Sequence, residues 1–322
     1  YDLSIQCLNR PGGVVDIAYG QTLTGAIDSY AKVVTYGFSA QANDKVYIPF
    51  AELTQTGGRY EPYLELYDSS GVKVGESTTG YLGVIIASAG NMTLLSSDSN
   101  RNGTGTYELT LQRTNNPAGA QDISIGQTVS GQTAGVTDRD VYKFSAAADD
   151  TVTVRTTDYV ALYDSNGDFL KGSVSGVLTQ KLSGSGEYYL FMSSGGTAYE
   201  FTLQRLNNAG DAQAISYGQG SLGTIATVTD MSAYTFTAAV DDIVTIRFAE
   251  TANRSGVFKV LVMLYDANGV MVSSSTSGDL TAQISAGGIY NIFVLDDNLD
   301  GTGSYDLSIQ CLNRPGGVVD IA

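Results

Sequence analysis

With 322 residues, 43% hydrophobic content and no histidine, the chain can build three ordinary domain cores but holds no Ser-His-Asp, Cys-His or zinc-histidine site. Its 17 basic against 33 acidic residues give a net charge of −16. That field repels nucleic acid and anionic membranes and favours solubility and cation binding, so no nucleic-acid partner is expected. The 38 glycines, 21 tyrosines and five prolines, with no amphipathic helical window, mark a β-rich chain of extracellular type.

The chain opens on YDLSIQCLNRPGGVVDIA, Tyr1 to Ala18, and the same letters return unchanged from Tyr305 to Ala322, a period of 304 residues. Partial copies open at Tyr107 (YELTLQRTNNPAGAQDISIGQ) and Tyr199 (YEFTLQRLNNAGDAQAISYGQ). Units of about 100 residues are each long enough to fold singly. The chain starts in mid-strand, with no initiator Met, signal peptide or membrane-spanning apolar run, and reads as a window on a longer polypeptide. The expected division is a last strand of a preceding repeat plus connector (1–13), three sandwiches (14–113, 120–205 and 212–311) and a connector to the next repeat (312–322). In the junction strand, Tyr1, Leu3, Ile5 and Cys7 alternate onto one apolar face, as do Tyr305, Leu307, Ile309 and Cys311. This places the cysteine as a buried thiol, and one cysteine per period makes no disulfide within it.

The middle unit reads as eight short strands from its alternation of apolar and polar residues. They begin at Ile125–Gly131, Asp140–Phe144 and Asp149–Val154. Val160–Asp164 then turns through Ser165-Asn166-Gly167 into Asp168–Leu170, and strands at Val177–Leu182, Tyr188–Met192 and Tyr199–Leu203 follow. The neighbours carry the same marks: Tyr36-Gly-Phe38 and Tyr234-Thr-Phe236 match Tyr142-Lys-Phe144, and Leu66-Tyr-Asp68 and Leu264-Tyr-Asp266 match the hairpin. The fold class expected is all-β: three tandem antiparallel β-sandwiches, jelly-roll-like, in a linear array.

The ordered set of a D-x-Y-x-F strand, an acidic turn into V-x-V, an L-Y-D-x-x-G hairpin, a G-x-Y-x-I strand and a closing G-x-Y-x-L-x-L strand resembles the bacterial pre-peptidase C-terminal domain, three times over. The resemblance implies a secreted, prokaryotic jelly-roll sandwich that is an appendage of exported enzymes or surface proteins and is itself non-catalytic. It also implies that calcium, collagen or other polymers are ligands of some relatives.

Three features invite a site. Asp296-Asp297-Asn298-Leu299-Asp300-Gly301 places oxygen ligands at alternate positions before a glycine, a pattern that suits calcium but that also describes an Asx-rich turn. Tyr60 lies in an insertion, Thr54 to Pro62, and Tyr63 directly follows it; both are candidates for ligand or inter-subunit contact, and the third unit has its own insertion, Glu250 to Lys259. The pairs Asp149/Asp150 and Asp241/Asp242 read as turn residues, because adjacent strand residues point to opposite faces. No catalytic residue is expected. The function expected is a structural repeat unit of a cell-surface filament, fibre or stalk, whose partners are other copies of itself joined covalently or by strand sharing. The alternatives are a multivalent adhesin or polysaccharide-binding array, or a non-catalytic accessory region of an exported hydrolase.

Overall fold

A strand that alternates a large apolar side chain with a polar one must bury one face. The first unit of the computed structural model, which describes residues 2–174 and 176–317, holds nine strands; the short first is exposed throughout and the others build two packed sheets. They are β1 (Val14–Asp16), β2 (Gln21–Ile27), β3 (Val34–Ala40), β4 (Lys45–Gly57), β5 (Pro62–Tyr67), β6 (Lys73–Ser77), β7 (Tyr81–Ile85), β8 (Gly90–Asp98) and β9 (Thr104–Arg113). One sheet has the order β1-β3-β8-β5-β6 and the facing sheet β2-β9-β4-β7. Without β1, this is the interleaved order of a jelly roll. The short β1 adds in parallel beside β3, and the other pairings are antiparallel.

The second unit, from Gln121–Asp122 to Ala198–Arg205, and the third, from Gln213–Ala214 to Gly301–Cys311, repeat this order strand for strand. The described residues contain no helix. The chain is therefore three tandem all-β sandwiches, each with its own apolar core.

One device ties the two sheets of each sandwich. Tyr36 and Tyr107 bring their hydroxyls to 2.8 Å, Tyr142 and Tyr199 to 2.6 Å, and Tyr234 and Tyr305 to 2.9 Å, all within the core. A buried hydroxyl must find a partner, and each of these phenols supplies the other's. The strand opposite carries glycine because the ring fills the space a side chain would take. A Cβ at Gly25 would lie 2.4 Å from Tyr107, at Gly131 2.4 Å from Tyr199, and at Gly223 2.2 Å from Tyr305.

The acidic turns are clamps. Asp150 accepts from the Ala147 amide at 2.9 Å, from Arg205 at 2.9 Å and from Asn207 at 3.2 Å, while Asp149 before it takes a left-handed φ of 68°. Asp44 likewise meets Arg113 from the end of β9. In the third sandwich Cys311 stands where Arg113 and Arg205 stand in the others, and Arg314 of the connector reaches back to Asp242 instead. Burial raises the Asp150 and Asp242 carboxyls, but the amide and arginine contacts outweigh it and hold both below the ordinary value. These carboxylates are spent on the fold.

Candidate functional site: the junctions between sandwiches

The outer faces of the sheets distinguish the three units. An isolated sandwich should leave every second residue of its last strand in water. In Gly301–Cys311 it does: Asp306 and Ser308 are exposed between buried Tyr305, Leu307 and Ile309. In β9, by contrast, Tyr107 to Gln112 are buried without interruption, Glu108, Thr110 and Gln112 included. Phe201 to Gln204 of the second unit are buried in the same way. The polar outer face of each of these units is covered by the sandwich that follows.

The contacts that cover them recur. Glu108 accepts from the amide of Thr137 at 2.6 Å and from its hydroxyl at 2.9 Å; Glu200 accepts from the amide of Thr229 at 3.1 Å and its hydroxyl at 2.7 Å. Thr22 donates to Asp138 at 3.1 Å, and Thr128, its counterpart, to Asp230 at 2.7 Å. Polar groups buried this way stabilise only when paired, and here each carboxylate meets an N–H and an O–H. The second junction adds Arg155, 3% exposed, which donates to the carbonyls of Val228 at 3.2 Å and Asp296 at 2.6 Å. Burial pushes its guanidinium down to about 10. The first junction has Pro49 at that position and gains a Lys45–Asp168 ion pair at 2.5 Å.

The two internal connectors each run against the five-stranded sheet of the sandwich that follows. Gln112 exchanges two hydrogen bonds with Ala118, both at 3.0 Å, Gln204 does so with Gly210 and Gln310 with Gly316. Beneath the second connector, Leu206 packs with Met231, Ala233, Phe293 and Leu295 of the third sandwich. A smaller apolar cluster of Val141, Ala161, Tyr189 and Phe191 lies at the same place on the second.

The opening segment makes the contacts that the end of a sandwich and its connector make at a junction. Gln6 exchanges two 2.9 Å bonds with Gly12, as its duplicate Gln310 does with Gly316. Asp2 accepts from the amide of Ala31 at 2.9 Å, and Ala31 holds the place of Thr137 and Thr229. That amide, first among several donors, keeps the Asp2 carboxyl below its ordinary value. Leu3 and Ile5 are 88% and 93% exposed, whereas Leu307 and Ile309 are 1% exposed.

The sequence expectations meet this geometry unevenly. Tyr305, Leu307, Ile309 and Cys311 do lie buried in a strand. Leu3, Ile5 and Cys7 do not: no sheet is there to pair with them, so the segment is not a strand and Cys7 is exposed. Tyr1 and the connector beyond Gly317 lie outside the described residues. Tyr60 is a core residue, 1% exposed, because Gly105 leaves room for its ring and Gly103 for its backbone; Phe258 fills the same place, its ring over Gly303 and its backbone over Gly301. The insertions that carry these residues are extensions of long, bulged strands, Lys45–Gly57 and Ile243–Gly256, rather than free loops. Tyr63 is half-buried on the outer face of β5, its hydroxyl donating to Glu76. It occupies the position of Leu261, which packs against the second junction.

Asp296 is wholly buried and accepts from the amides of Lys259, Asp300 and Gly301 at 2.8, 2.9 and 3.1 Å. Asp98 does the same for Glu61, Asn102 and Gly103. Asp297 pairs with Lys259 at 2.9 Å, and Asn298 and Asp300 are exposed. Their oxygens do not converge on one point, and no group of three acidic, Cys or His side chains that could hold a metal ion occurs among the described residues. The geometry is that of a turn whose first carboxylate caps its own amides.

No family model and no curated protein matches the chain. Among solved structures, it is similar to PliG, a periplasmic inhibitor of g-type lysozyme from Aeromonas hydrophila (16% identity, 31% of this chain and 96% of that one, TM-score 0.25). It is also similar to the tandem CBM51 modules of Sp3GH98, a family 98 glycoside hydrolase from Streptococcus pneumoniae (10% identity, 90% and 83%, TM-score 0.21). A third is the CUB1-EGF-CUB2 region of rat MASP-1 (9% identity, 59% and 99%, TM-score 0.20). Scores this low leave the architecture to rest on the sheet topology itself.

Proposed function

We propose that this chain is one block of a non-catalytic, extracellular structural array, in which β-sandwiches stack on one another through a single recurring junction to form a filament, fibre or stalk. The observation that carries the reading is the recurrence of one contact. A carboxylate on the last strand caps an amide of the next sandwich at Glu108–Thr137 and at Glu200–Thr229, and Asp2 of the opening segment caps that of Ala31 in the same way. The third instance is made by a segment identical in sequence to the end of the third sandwich. Contacts that run head to tail without closing generate linear assemblies. The resemblance to a secreted, non-catalytic appendage domain supports the extracellular setting.

The reading is tested by the mass of the native polypeptide under denaturing conditions, together with imaging of the native assembly. A mass far above 33.8 kDa and a fibre with an axial repeat of one block support it. A native product of one block that remains a dispersed monomer sinks it.

A further inference from the structure

We infer that the exposed outer face of the third sandwich is a docking surface for the first sandwich of a following block, with Arg247 and Asp306 as its anchors. The inference rests on the array reading and goes beyond it by naming the surfaces, the contacts and the order of the units.

The donor side is visible in the third sandwich. Asp306, Ser308 and Gln310 stand at the positions of Glu108, Thr110 and Gln112, so the covered and uncovered faces carry the same chemistry. Arg247 stands at the position of Arg155, yet is exposed. An arginine that is buried and doubly hydrogen-bonded at one junction is thus present, unpaired with any sandwich, at the equivalent place on the uncovered face.

The acceptor side is visible in the first sandwich. The carbonyls that receive Arg155 belong to Val228 and Asp296; their counterparts are those of Tyr30 and Asp98. A cavity lined by Tyr30, Lys32, Tyr63, Glu65, Asp98 and Arg101 lies there, with Asp2–Ser4 forming part of its wall. Because Asp2 already holds the Ala31 amide, Asp306 has its seat marked by its own duplicate. Continuity with the two internal junctions therefore identifies the occupant as a third-type sandwich, with Arg247 entering this cavity.

Two further positions differ in concert, and this sets the order. At the internal junctions a threonine, Thr22 or Thr128, donates to Asp138 or Asp230. The third face has Gly220 in place of the threonine and the first sandwich has Lys32 in place of the aspartate. Docking the third face on another second or third sandwich would take from Asp138 or Asp230 the threonine hydroxyl that reaches it across the junction, leaving only the donors of its own sandwich. On the first sandwich no aspartate stands there to lose that donor, Lys32 is paired with Asp28, and Ala31 offers its amide alone. Specificity of this kind is a difference between partners, here one fewer donor to that aspartate in the wrong one.

The test uses two joined blocks, residues 1–322 followed directly by 19–322, whose structure and thermal unfolding are compared with those of the single chain. We expect Arg247 of the first block to donate to the Tyr30 and Asp98 carbonyls of the second, and Asp306 to accept from Ala31. Arg247→Ala and Asp306→Ala should each lower the melting temperature of the two-block chain by about 4–8 °C per lost kcal/mol and leave the single chain unmoved. If Arg247 and Ser308 stay exposed at that junction, or if the substitutions act equally on one block and two, the inference fails. The array reading stands or falls separately, on the native mass.

Discussion

The last strands of the second and third sandwiches have nearly the same polar side chains and opposite fates. Glu200, Thr202 and Gln204 lie under the next sandwich; Asp306, Ser308 and Gln310 lie largely in water. The difference shows that outward polarity on a β-strand does not by itself mean solvent, because a polar face can be buried wherever a neighbour supplies matching donors. It also separates two layers of design. Inner faces make each sandwich, and outer faces decide what sits against it.

The largest effects should fall on what the sandwiches share. Gly131→Ala drives a methyl into Tyr199, and Gly223→Ala drives one into Tyr305. Each should destabilise its own sandwich by about 1–3 kcal/mol, measured by denaturant unfolding, and by similar amounts. A marked inequality would break the claim that the inner layers are equivalent. The next effect should fall on one side only. Arg155→Ala leaves two buried carbonyls without their donor and should cost about 1–3 kcal/mol, seen as earlier unfolding and faster hydrogen exchange at the second junction. Arg247→Ala in the single chain should change stability by less than about 0.5 kcal/mol, as an exposed substitution does. Glu200→Gln against Asp306→Asn repeats the contrast on a smaller scale, about 1 kcal/mol against none, since the amide oxygen still accepts from Thr229 but without charge.

Much of this was legible. Apolar alternation located eight strands in the middle unit, and the recurring Y-x-F and L-Y-D marks extended the same fold to the other two. The two- or three-residue parallel strand, such as Val14–Asp16, was not legible, because so short a run has no period. Tyr60 reads as exposed in any one-dimensional reading of its insertion, since only the fold brings Gly105 beneath its ring and Gly103 against its backbone. The Asp296 cluster shows the limit for ligands. Oxygen spacing fits an ion and a turn equally well, and the three amides that claim the carboxylate come from Lys259, Asp300 and Gly301, one of them distant in sequence. The junctions were hidden for a related reason. Glu108-x-Thr-x-Gln112 is an ordinary solvent-facing pattern until Thr137 and Asp138 are placed over it.

The smallest expected effect compares how the two later sandwiches hold their acidic turn. Asp150 is clamped by Arg205 from the last strand, and Asp242 by Arg314 from the connector. Both carboxyls are depressed in the fold, so each contributes stability that is present above the unfolded value of about 3.9 and is lost as pH falls through its lower folded value. Asp140, raised chiefly by burial, binds its proton more readily in the fold and titrates in the opposite sense. Acidification should therefore destabilise the third sandwich with a steeper slope than the second, read from chemical denaturation at a series of pH values between neutrality and about 3. Arg314→Ala should flatten the third sandwich's slope and leave the second's unchanged, because the arginine that holds Asp150 comes from its own last strand. Equal flattening in both would mean that the connector's arginine acts through general charge rather than through the turn it touches.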